Sequence, residues 1–303
     1  MDIDGDGNLD ILSGSYSRME PDMAGLFQVM YGKPDGTFRK AEVLKGTDGQ
    51  PLIIPTEKKE AVTDKICTRP FAVDWDGDGK LDLVVGNFAG TFHWFKGEGK
   101  GRFRPKPELI KSGGEPLRLL DAPPGEGAFA RHGHGCHSDP FIIDWDGDGA
   151  LDLLSGSSNG GVQWARNRAG KGKPPELGPF EWLIKPGRAP EYGELLSEED
   201  LTGPTTCTRI WVADVNGDGK LDLLVGDSVT LISPVKGVSP EEFKKKCAVW
   251  RKSLEAALKE SDAAKDDASQ REKANARYRK VYEQRTEFMK EEQTGFVWLY
   301  LQK

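Results

Sequence analysis

The chain has 303 residues, of which 37% are hydrophobic, with 37 Gly and 19 Pro, a mixture that favours short strands joined by turns over a helical bundle. Its 49 acidic and 42 basic residues give a net charge of −7, and the one basic-rich stretch, after Ser239, is equally acidic, so no nucleic-acid partner is expected. No run reaches the about 18–20 apolar residues of a membrane span, and no apolar signal segment follows Met1.

An acidic loop of nine residues occurs four times along the chain. The copies, loops 1 to 4, start at residues 2, 74, 144 and 214, which gives spacings of 72, 70 and 70 residues. Their sequences are DIDGDGNLD, DWDGDGKLD, DWDGDGALD and DVNGDGKLD, and each leads into a short apolar run that ends in Gly. Repetition at a fixed period indicates one structural unit in each repeat.

Strand-like runs flank the loops and repeat with them. Runs precede loops 2 to 4 at 70–73, 140–143 and 210–213, and aromatic runs follow the loops at 26–31, 91–95, 161–164 and 295–300. Further runs at 36–39 and 101–104 predict a fourth strand. Four strands in about 70 residues is typical of a propeller blade with long connections. The sequence therefore predicts an all-β chain, a β-propeller of four-stranded blades whose first and last repeats are incomplete.

The loop pattern predicts calcium binding. Asp residues at positions 1, 3, 5 and 9 converge if the backbone wraps tightly, and Gly at positions 4 and 6 allows the positive φ that wrapping needs. With the carbonyl of position 7, these oxygens form the hard ligand set that calcium prefers. Up to four ions are expected, which would change the formal charge from −7 to about +1. The predicted calcium-binding residues are Asp2, Asp4, Asp6, Asn8, Asp10, Asp74, Asp76, Asp78, Lys80, Asp82, Asp144, Asp146, Asp148, Ala150, Asp152, Asp214, Asn216, Asp218, Lys220 and Asp222.

Two other structures share the start of this pattern. An EF-hand needs Glu at loop position 12 and a helix after it, whereas position 12 here is Ser or Val and a strand follows. The second alternative is a set of Asp-Gly turns that bind no metal.

On these loops and their flanking strands the chain resembles the FG-GAP/VCBS repeat family, which includes the propeller of integrin α-subunits. The resemblance covers about residues 1–235 and 295–303. It implies calcium between strands 1 and 2 of each blade, on the lower face of a propeller. Members are mostly secreted or surface-exposed, so we expect a secreted, periplasmic or cell-surface protein.

Residues 236–294 are rich in Lys, Glu, Ala and Arg and predict a helical hairpin inserted in the last blade. Ser239 and Glu242 form a capping box with Pro at the first helical position. The hairpin's apolar stripes either hold it together or contact a partner or a second copy of the chain. The stripes, at helical spacing, are Phe243, Cys247, Trp250, Leu254 and Leu258 on the first helix and Ala274, Tyr278, Val281 and Phe288 on the second.

Cysteine and histidine form a second constellation. Cys67, His137 and Cys207 each lie seven residues before a loop, which in a propeller is the upper mouth of the central channel. Cys and His are competent zinc or copper ligands, so a Zn or Cu site there is one interpretation. Buried thiols or a disulfide are the alternatives. The further candidate ligands beside His137 are Cys136, His134 and His132.

Two functions are consistent with these features. The first is a non-enzymatic calcium-binding module that uses the upper face, where the long connections gather, for a protein or glycan. The second is a secreted enzyme, a polysaccharide lyase or hydrolase or a metal-dependent oxidoreductase, with its site at the channel mouth. The sequence matches no nucleophile elbow, Walker loop or haem-attachment motif, so the first is preferred.

Overall fold

The structure, a computed structural model, describes residues 1–16, 25–55, 65–121, 137–188, 190, 192–264 and 267–303. It is mostly β, with several antiparallel sheets and two helices. The chain divides into two compact units. Unit 1 comprises Met1–Arg188, Gly203–Asp227 and Phe296–Lys303, and unit 2 comprises Ala189–Thr202 and Ser228–Gly295. Neither described helix is long and apolar enough to cross a membrane.

The strands follow the four repeats. In chain order they are β1 (Ile11–Ser13), β2 (Gln28–Met30), β3 (Glu42–Val43), β4 (Arg69–Val73), β5 (Asp82–Gly86), β6 (Phe92–Phe95), β7 (Gly97–Gly99), β8 (Arg102–Phe103), β9 (Glu108–Leu109), β10 (Lys111–Ser112), β11 (Glu115–Pro116), β12 (Asp139–Ile143), β13 (Asp152–Gly156), β14 (Val162–Ala165), β15 (Glu181–Ile184), β16 (Thr206–Ala213), β17 (Asp222–Pro234), β18 (Met289–Thr294) and β19 (Val297–Tyr300).

Each repeat contributes one antiparallel sheet to unit 1. The sheet orders are β1-β2-β3, β4-β5-β6-β9, β12-β13-β14-β15 and β16-β17-β19. Loops 2 to 4 each join the first strand of a sheet to the second; Val73 faces Asp82 across loop 2, for example. The predicted first, second and third strands are therefore confirmed. Within the described residues, no closed barrel or closed ring of sheets is detected.

The predicted fourth strands are wrong in two repeats. The run at 101–104 contributes β8, which pairs with β7 in a two-stranded ribbon, and the outer strand of that sheet is β9. The run at 36–39 makes only a bridge between Phe38 and Gly32, and the outer strand is β3. Phe103 is fully buried under its ribbon, so its apolar character reflects burial there and not a place in the sheet.

Three apolar cores fill the spaces between neighbouring sheets of unit 1. Phe27, Phe95 and Phe103 belong to the core of the first two sheets. Trp75 and Phe92 belong to the core of the second and third sheets, which also includes Ile142 and Leu153. The core of the third and fourth sheets includes Phe141, Leu154 and Leu223. Side chains from successive sheets thus interdigitate in the same way from repeat to repeat.

A buried hydroxyl joins each sheet to the one before it. The Ser138 hydroxyl accepts a hydrogen bond from the Asn87 N–H at 2.8 Å and donates to the Thr91 carbonyl at 2.7 Å. The Ser138 N–H in turn donates to the Asn87 carbonyl at 3.0 Å. The Thr68 hydroxyl likewise accepts the Ser15 N–H at 2.9 Å, and the Thr208 hydroxyl accepts the Ser157 N–H at 2.8 Å. We call these three contacts the sheet junctions.

The junctions explain the Gly that ends the first three apolar runs. A Cβ on Gly14, Gly86 or Gly156 would lie 1.8, 2.2 or 2.3 Å from the carbonyl oxygen of Thr68, Ser138 or Thr208. No real Cβ approaches a backbone oxygen so closely, so each position must be Gly. Gly226 ends the fourth run, and the nearest atom to its Cβ position is 3.9 Å away.

Unit 2 is built around the helices α1 (Pro240–Ala263) and α2 (Ala268–Glu283). They are antiparallel, since Trp250 bonds to Val281 while Glu260 bonds to Arg277. The Ser239 hydroxyl caps α1 by accepting the Glu242 N–H. β17 extends into unit 2 and pairs there with β18, so residues 289–294, predicted within the insertion, form a strand.

The apolar stripe of α1 is largely as predicted. Phe243, Cys247, Trp250 and Leu254 are buried, but Leu258 is 39% exposed and Ala257 is buried in its place. The shift by one residue keeps the stripe on one side of the helix as the helix turns. The prediction for α2 is wrong at Phe288, which follows the helix and packs against Phe243. These side chains hold unit 2 together.

Replacing Gly86 by Ala should destabilise the protein by about 1–3 kcal/mol, because the new methyl group overlaps the Ser138 carbonyl. Gly226→Ala is the matched control, since its methyl group meets nothing closer than 3.9 Å, and it should change stability by less than about 0.5 kcal/mol. Urea unfolding of both variants measures this, and equal losses would contradict the proposed role of the junctions.

Burial lowers the pKa of His93 to about 4, from an ordinary value of 6.5. The unfolded chain therefore binds one more proton between these values, and stability falls as the pH drops through that window. His93→Gln, the residue at the equivalent register position 163, should flatten the dependence of unfolding free energy on pH between 6.5 and 4. An unchanged slope would show that another group is responsible.

Candidate functional site

The acidic loops share one backbone shape in all four repeats. The glycines at positions 4 and 6 have positive φ, 73° at Gly77 and 82° at Gly79 in loop 2. The Oδ2 of the first Asp accepts the N–H of position 6 at 2.9 Å in every loop. The Oδ1 of the fifth residue accepts the N–H of position 7 at 2.9–3.0 Å. The loops are thus wound by their own carboxylates.

The Asp at position 9 ties each loop to the rest of its sheet. In loop 3, Asp152 Oδ2 accepts the N–H of Trp145 at 3.2 Å, and Oδ1 accepts the N–H of Asn167 at 2.7 Å. Asp10, Asp82 and Asp222 make the same pair of bonds. Burial raises the pKa of Asp82 and Asp152. This carboxylate therefore has a structural role in addition to the predicted calcium role.

Three carboxylates converge in each of loops 1 to 3, and in loop 1 one of them is Asp10 at position 9. In each loop, three carboxylate groups place oxygens within 4.8 Å of one another: Asp2, Asp4 and Asp10; Asp74, Asp76 and Asp78; Asp144, Asp146 and Asp148. Loop 4 has Asn216 at position 3, and its side-chain amide donates to Asp218 Oδ2 at 3.1 Å. Loops 1 to 3 thus present three charged oxygen donors each, and loop 4 presents fewer.

Two of these oxygens are buried without any hydrogen bond. They are Oδ1 of Asp74 and Oδ1 of Asp144, the first residues of loops 2 and 3. In loops 1 and 4 the equivalent oxygen accepts two backbone N–H groups, at 2.8 and 3.1 Å for Asp2 and at 2.7 and 3.1 Å for Asp214. A buried charged oxygen without a partner is costly, and a hard cation is the ligand that would satisfy it. The residues of loops 2 and 3 therefore fit calcium.

Basic side chains lie against the same two loops. Lys96 Nζ contacts Asp76 Oδ2, and this hydrogen bond raises the pKa of Lys96. Arg166 binds Asp146 Oδ2 at 2.8 Å and Asp148 Oδ2 at 3.0 Å. The pKa of Asp148 is lowered, first by the hydrogen bond from the Ala150 N–H and second by the hydrogen bond from Arg166. These cations partly offset the negative charge of the loops.

Cys67, His137 and Cys207 occupy equivalent backbone positions, each directly before a junction hydroxyl. All three have positive φ, of 54°, 40° and 51°, which is uncommon for a residue with a side chain. Among the described residues, their ligand atoms form no group within 4.8 Å. Cys136, His134 and His132 lie outside the described residues. The Zn or Cu site thus stays a prediction. The equal spacing of the three residues from the loops is explained by the left-handed backbone conformation before each junction.

An ion cluster near these residues was missed from the sequence. Asp139 lies between two guanidinium groups, with Oδ1 3.7 Å from Arg69 Nε and Oδ2 3.5 Å from Arg209 Nε. Arg69 also donates to the His137 carbonyl at 3.2 Å, and burial raises the pKa of Asp139. All three occupy the fifth position before a loop, and that repeat of Arg, Asp and Arg is the signal that could have revealed the cluster.

Comparison with protein-family models gives one matching family, described as an FG-GAP-like repeat. The match covers residues 74–119 and 144–225, which contain loops 2, 3 and 4. The resemblance to FG-GAP repeats is therefore confirmed. Comparison with curated proteins found no match.

Asp152→Asn should destabilise the calcium-free protein by about 1–3 kcal/mol, because an amide nitrogen would then face one of two backbone donors. Asp144→Asn keeps an acceptor for Gly149, and should change the calcium-free stability by less than about 0.5 kcal/mol. Denaturant unfolding in EGTA compares the two. If Asp144→Asn is the more harmful, the structural role belongs to position 1 and not to position 9.

Proposed function

Because the chain carries FG-GAP-like repeats, we propose that it is a calcium-stabilised, β-propeller-like binding module that acts outside the cell. In this proposal the four sheets are propeller blades, and loops 1 to 4 bind up to four calcium ions. The partner is a protein or a glycan, held by the ends of the sheets opposite the acidic loops. The module binds its partner without catalysing a reaction.

The buried, partnerless Oδ1 atoms of Asp74 and Asp144 support calcium binding most directly. Each belongs to a group of three carboxylates whose oxygens already converge within 4.8 Å. Together with backbone carbonyls, such a group supplies the six or more oxygen ligands that calcium takes at about 2.3–2.6 Å. Magnesium is less suitable because it retains several waters and requires near-octahedral geometry.

Electrostatics favour the same conclusion. Two carboxylates about 4 Å apart repel by about 1 kcal/mol in water, and more strongly near a protein surface. A divalent cation converts this repulsion to attraction in each loop. Since the loops join the first two strands of the sheets, calcium in a loop would stabilise the whole repeat. Extracellular modules bind calcium with dissociation constants of about 10⁻⁴–10⁻³ M, which suits a role outside the cell.

The site for the partner follows from the loops' position. Loops 2 to 4 each join a first strand to a second, so they lie at the same end of their sheets, and the strand connections at the other end are free to vary. Variable connections on one edge of a repeat array are the usual binding surface. FG-GAP repeats commonly serve such adhesion or binding roles, which favours a protein or glycan partner.

Calcium should raise the melting temperature of the protein. Binding to the native state alone contributes about 2.7 kcal/mol per site at a 100-fold excess over Kd. Asp78→Ala should reduce the increase, whereas Asp48→Ala, in an exposed turn outside the loops, should leave it intact. Thermal melts in EGTA and in excess calcium measure this. Identical melting temperatures in the two buffers would contradict calcium binding.

A further inference from the structure

One residue position follows the third strand of each sheet and approaches the acidic loop. The next residue donates its backbone N–H to Oδ1 of the Asp at loop position 9. These donors are Gly32, Gly97, Asn167 and Gln302. We call it the counter-ion position. Although the backbone bond is the same in all four repeats, the side chain differs each time: it is Tyr31, Lys96, Arg166 or Leu301.

In loops 2 and 3 the counter-ion position holds a cation against loop positions 3 and 5. Lys96 Nζ contacts Asp76 Oδ2 and lies 3.9 Å from Asp78 Oδ2. Arg166 Nε lies 2.8 Å from Asp146 Oδ2, and its Nη2 lies 3.0 Å from Asp148 Oδ2. The Asp76 side chain is only 5% exposed, so its contact with Lys96 is well shielded from water. Two different basic side chains thus engage the same pair of loop positions.

Loops 1 and 4 have no charge at this position. Tyr31 is a phenol, and Leu301 is aliphatic and half exposed. Arg39 lies 3.9 Å from Asp6 of loop 1, but its side chain is more than half exposed. The four loops therefore fall into two classes. Loops 2 and 3 have a counter-ion from their own sheet, and loops 1 and 4 lack one at the equivalent position.

We propose that Lys96 and Arg166 are built-in counter-ions that compete with calcium for loops 2 and 3. This proposal rests on the proposed calcium function and adds residues that set the affinity. Calcium must take the oxygens that the ammonium or guanidinium group now holds, so breaking the ion pair is part of the binding free energy. Without calcium, the same ion pair relieves repulsion between the carboxylates and keeps the loop wound.

Two consequences follow for the behaviour of the protein. The second and third repeats should stay folded at calcium concentrations that leave their loops empty. Removing either cation should tighten calcium binding in its own loop while making the calcium-free protein less stable. Opposite changes in affinity and calcium-free stability distinguish a counter-ion from an ordinary structural side chain, whose removal would weaken both.

Terbium luminescence can report each of these loops separately. Tb³⁺ occupies calcium sites and is sensitised by a nearby indole, and loops 2 and 3 carry Trp75 and Trp145 at position 2. Trp94 and Trp164 also lie beside loops 2 and 3, and Trp75 Nε1 bonds to the Leu151 carbonyl in loop 3, so the loops are separated by disabling one of them.

In an Asp78→Ala background, which disables loop 2, the indole-sensitised emission reports loop 3. Arg166→Leu should then tighten Tb³⁺ binding about three- to tenfold, with calcium competing correspondingly better, and should lower the melting temperature in EGTA.

Arg168→Leu is the matched control. It removes the same charge two residues further along, and Arg168 has no ion pair with a loop carboxylate among the described residues. Its Tb³⁺ affinity should match the parent. If Arg166→Leu does not fold, as judged by far-UV circular dichroism, Lys96→Leu in an Asp148→Ala background, which disables loop 3, tests loop 2 in the same way.

The outcomes separate the two proposals. If the parent binds neither Tb³⁺ nor calcium, the calcium function fails, and the counter-ion role fails with it. If the parent binds but Arg166→Leu and Arg168→Leu have equal affinity, calcium binding stands and the counter-ion role is overturned. Tighter binding together with a lower melting temperature in EGTA, for Arg166→Leu alone, supports the counter-ion role.

Discussion

The buried hydroxyl at each sheet junction is the interaction on which the rest of unit 1 depends. Thr68, Ser138 and Thr208 each accept an N–H from the preceding sheet and return a backbone bond to it. This pairing fixes where the first strand of each sheet begins, and with it the acidic loop at that strand's far end. The Gly opposite each hydroxyl leaves room for the contact. The residue before each hydroxyl, Cys67, His137 or Cys207, has a positive φ that turns the backbone toward the preceding sheet.

Within each repeat, the carboxylate at loop position 9 and the carboxylates at positions 1, 3 and 5 make different contacts. The Asp at position 9 holds the loop to the end of the third strand through two backbone bonds, so it is needed whether or not a metal is bound. The carboxylates at positions 1, 3 and 5 hold the loop in its turn conformation through backbone hydrogen bonds. Their negative charges lie close together, and the protein's own hydrogen bonds and ion pairs offset them only in part. In loops 2 and 3 a basic side chain supplies part of the missing positive charge, and a buried oxygen on Asp74 or Asp144 is left for a cation.

Much of this could be predicted from the sequence, because loops and strands obey local rules of spacing and alternation. The four loops, their flanking strands and the α1 stripe were found on that basis. The fourth strands were misplaced because Phe38 and Phe103 have strand-like neighbours but lie outside the sheets. Phe103 is buried in the core of the first two sheets, and no local sequence pattern predicts that contact between repeats. The equal offset of Cys67, His137 and Cys207 coincides with a left-handed residue before each junction, and the Zn or Cu site predicted from that offset stays a prediction.

The central claim is that loops 2 and 3 bind calcium through their first, third and fifth residues. A crystal structure of the protein grown in excess calcium tests it most directly, with anomalous scattering to identify the ion. The account predicts density in loops 2 and 3 about 2.3–2.6 Å from Oδ1 of Asp74 and of Asp144, with Lys96 and Arg166 moved away from the carboxylates. Density for water alone at both oxygens, with the two basic side chains still in place, would contradict it.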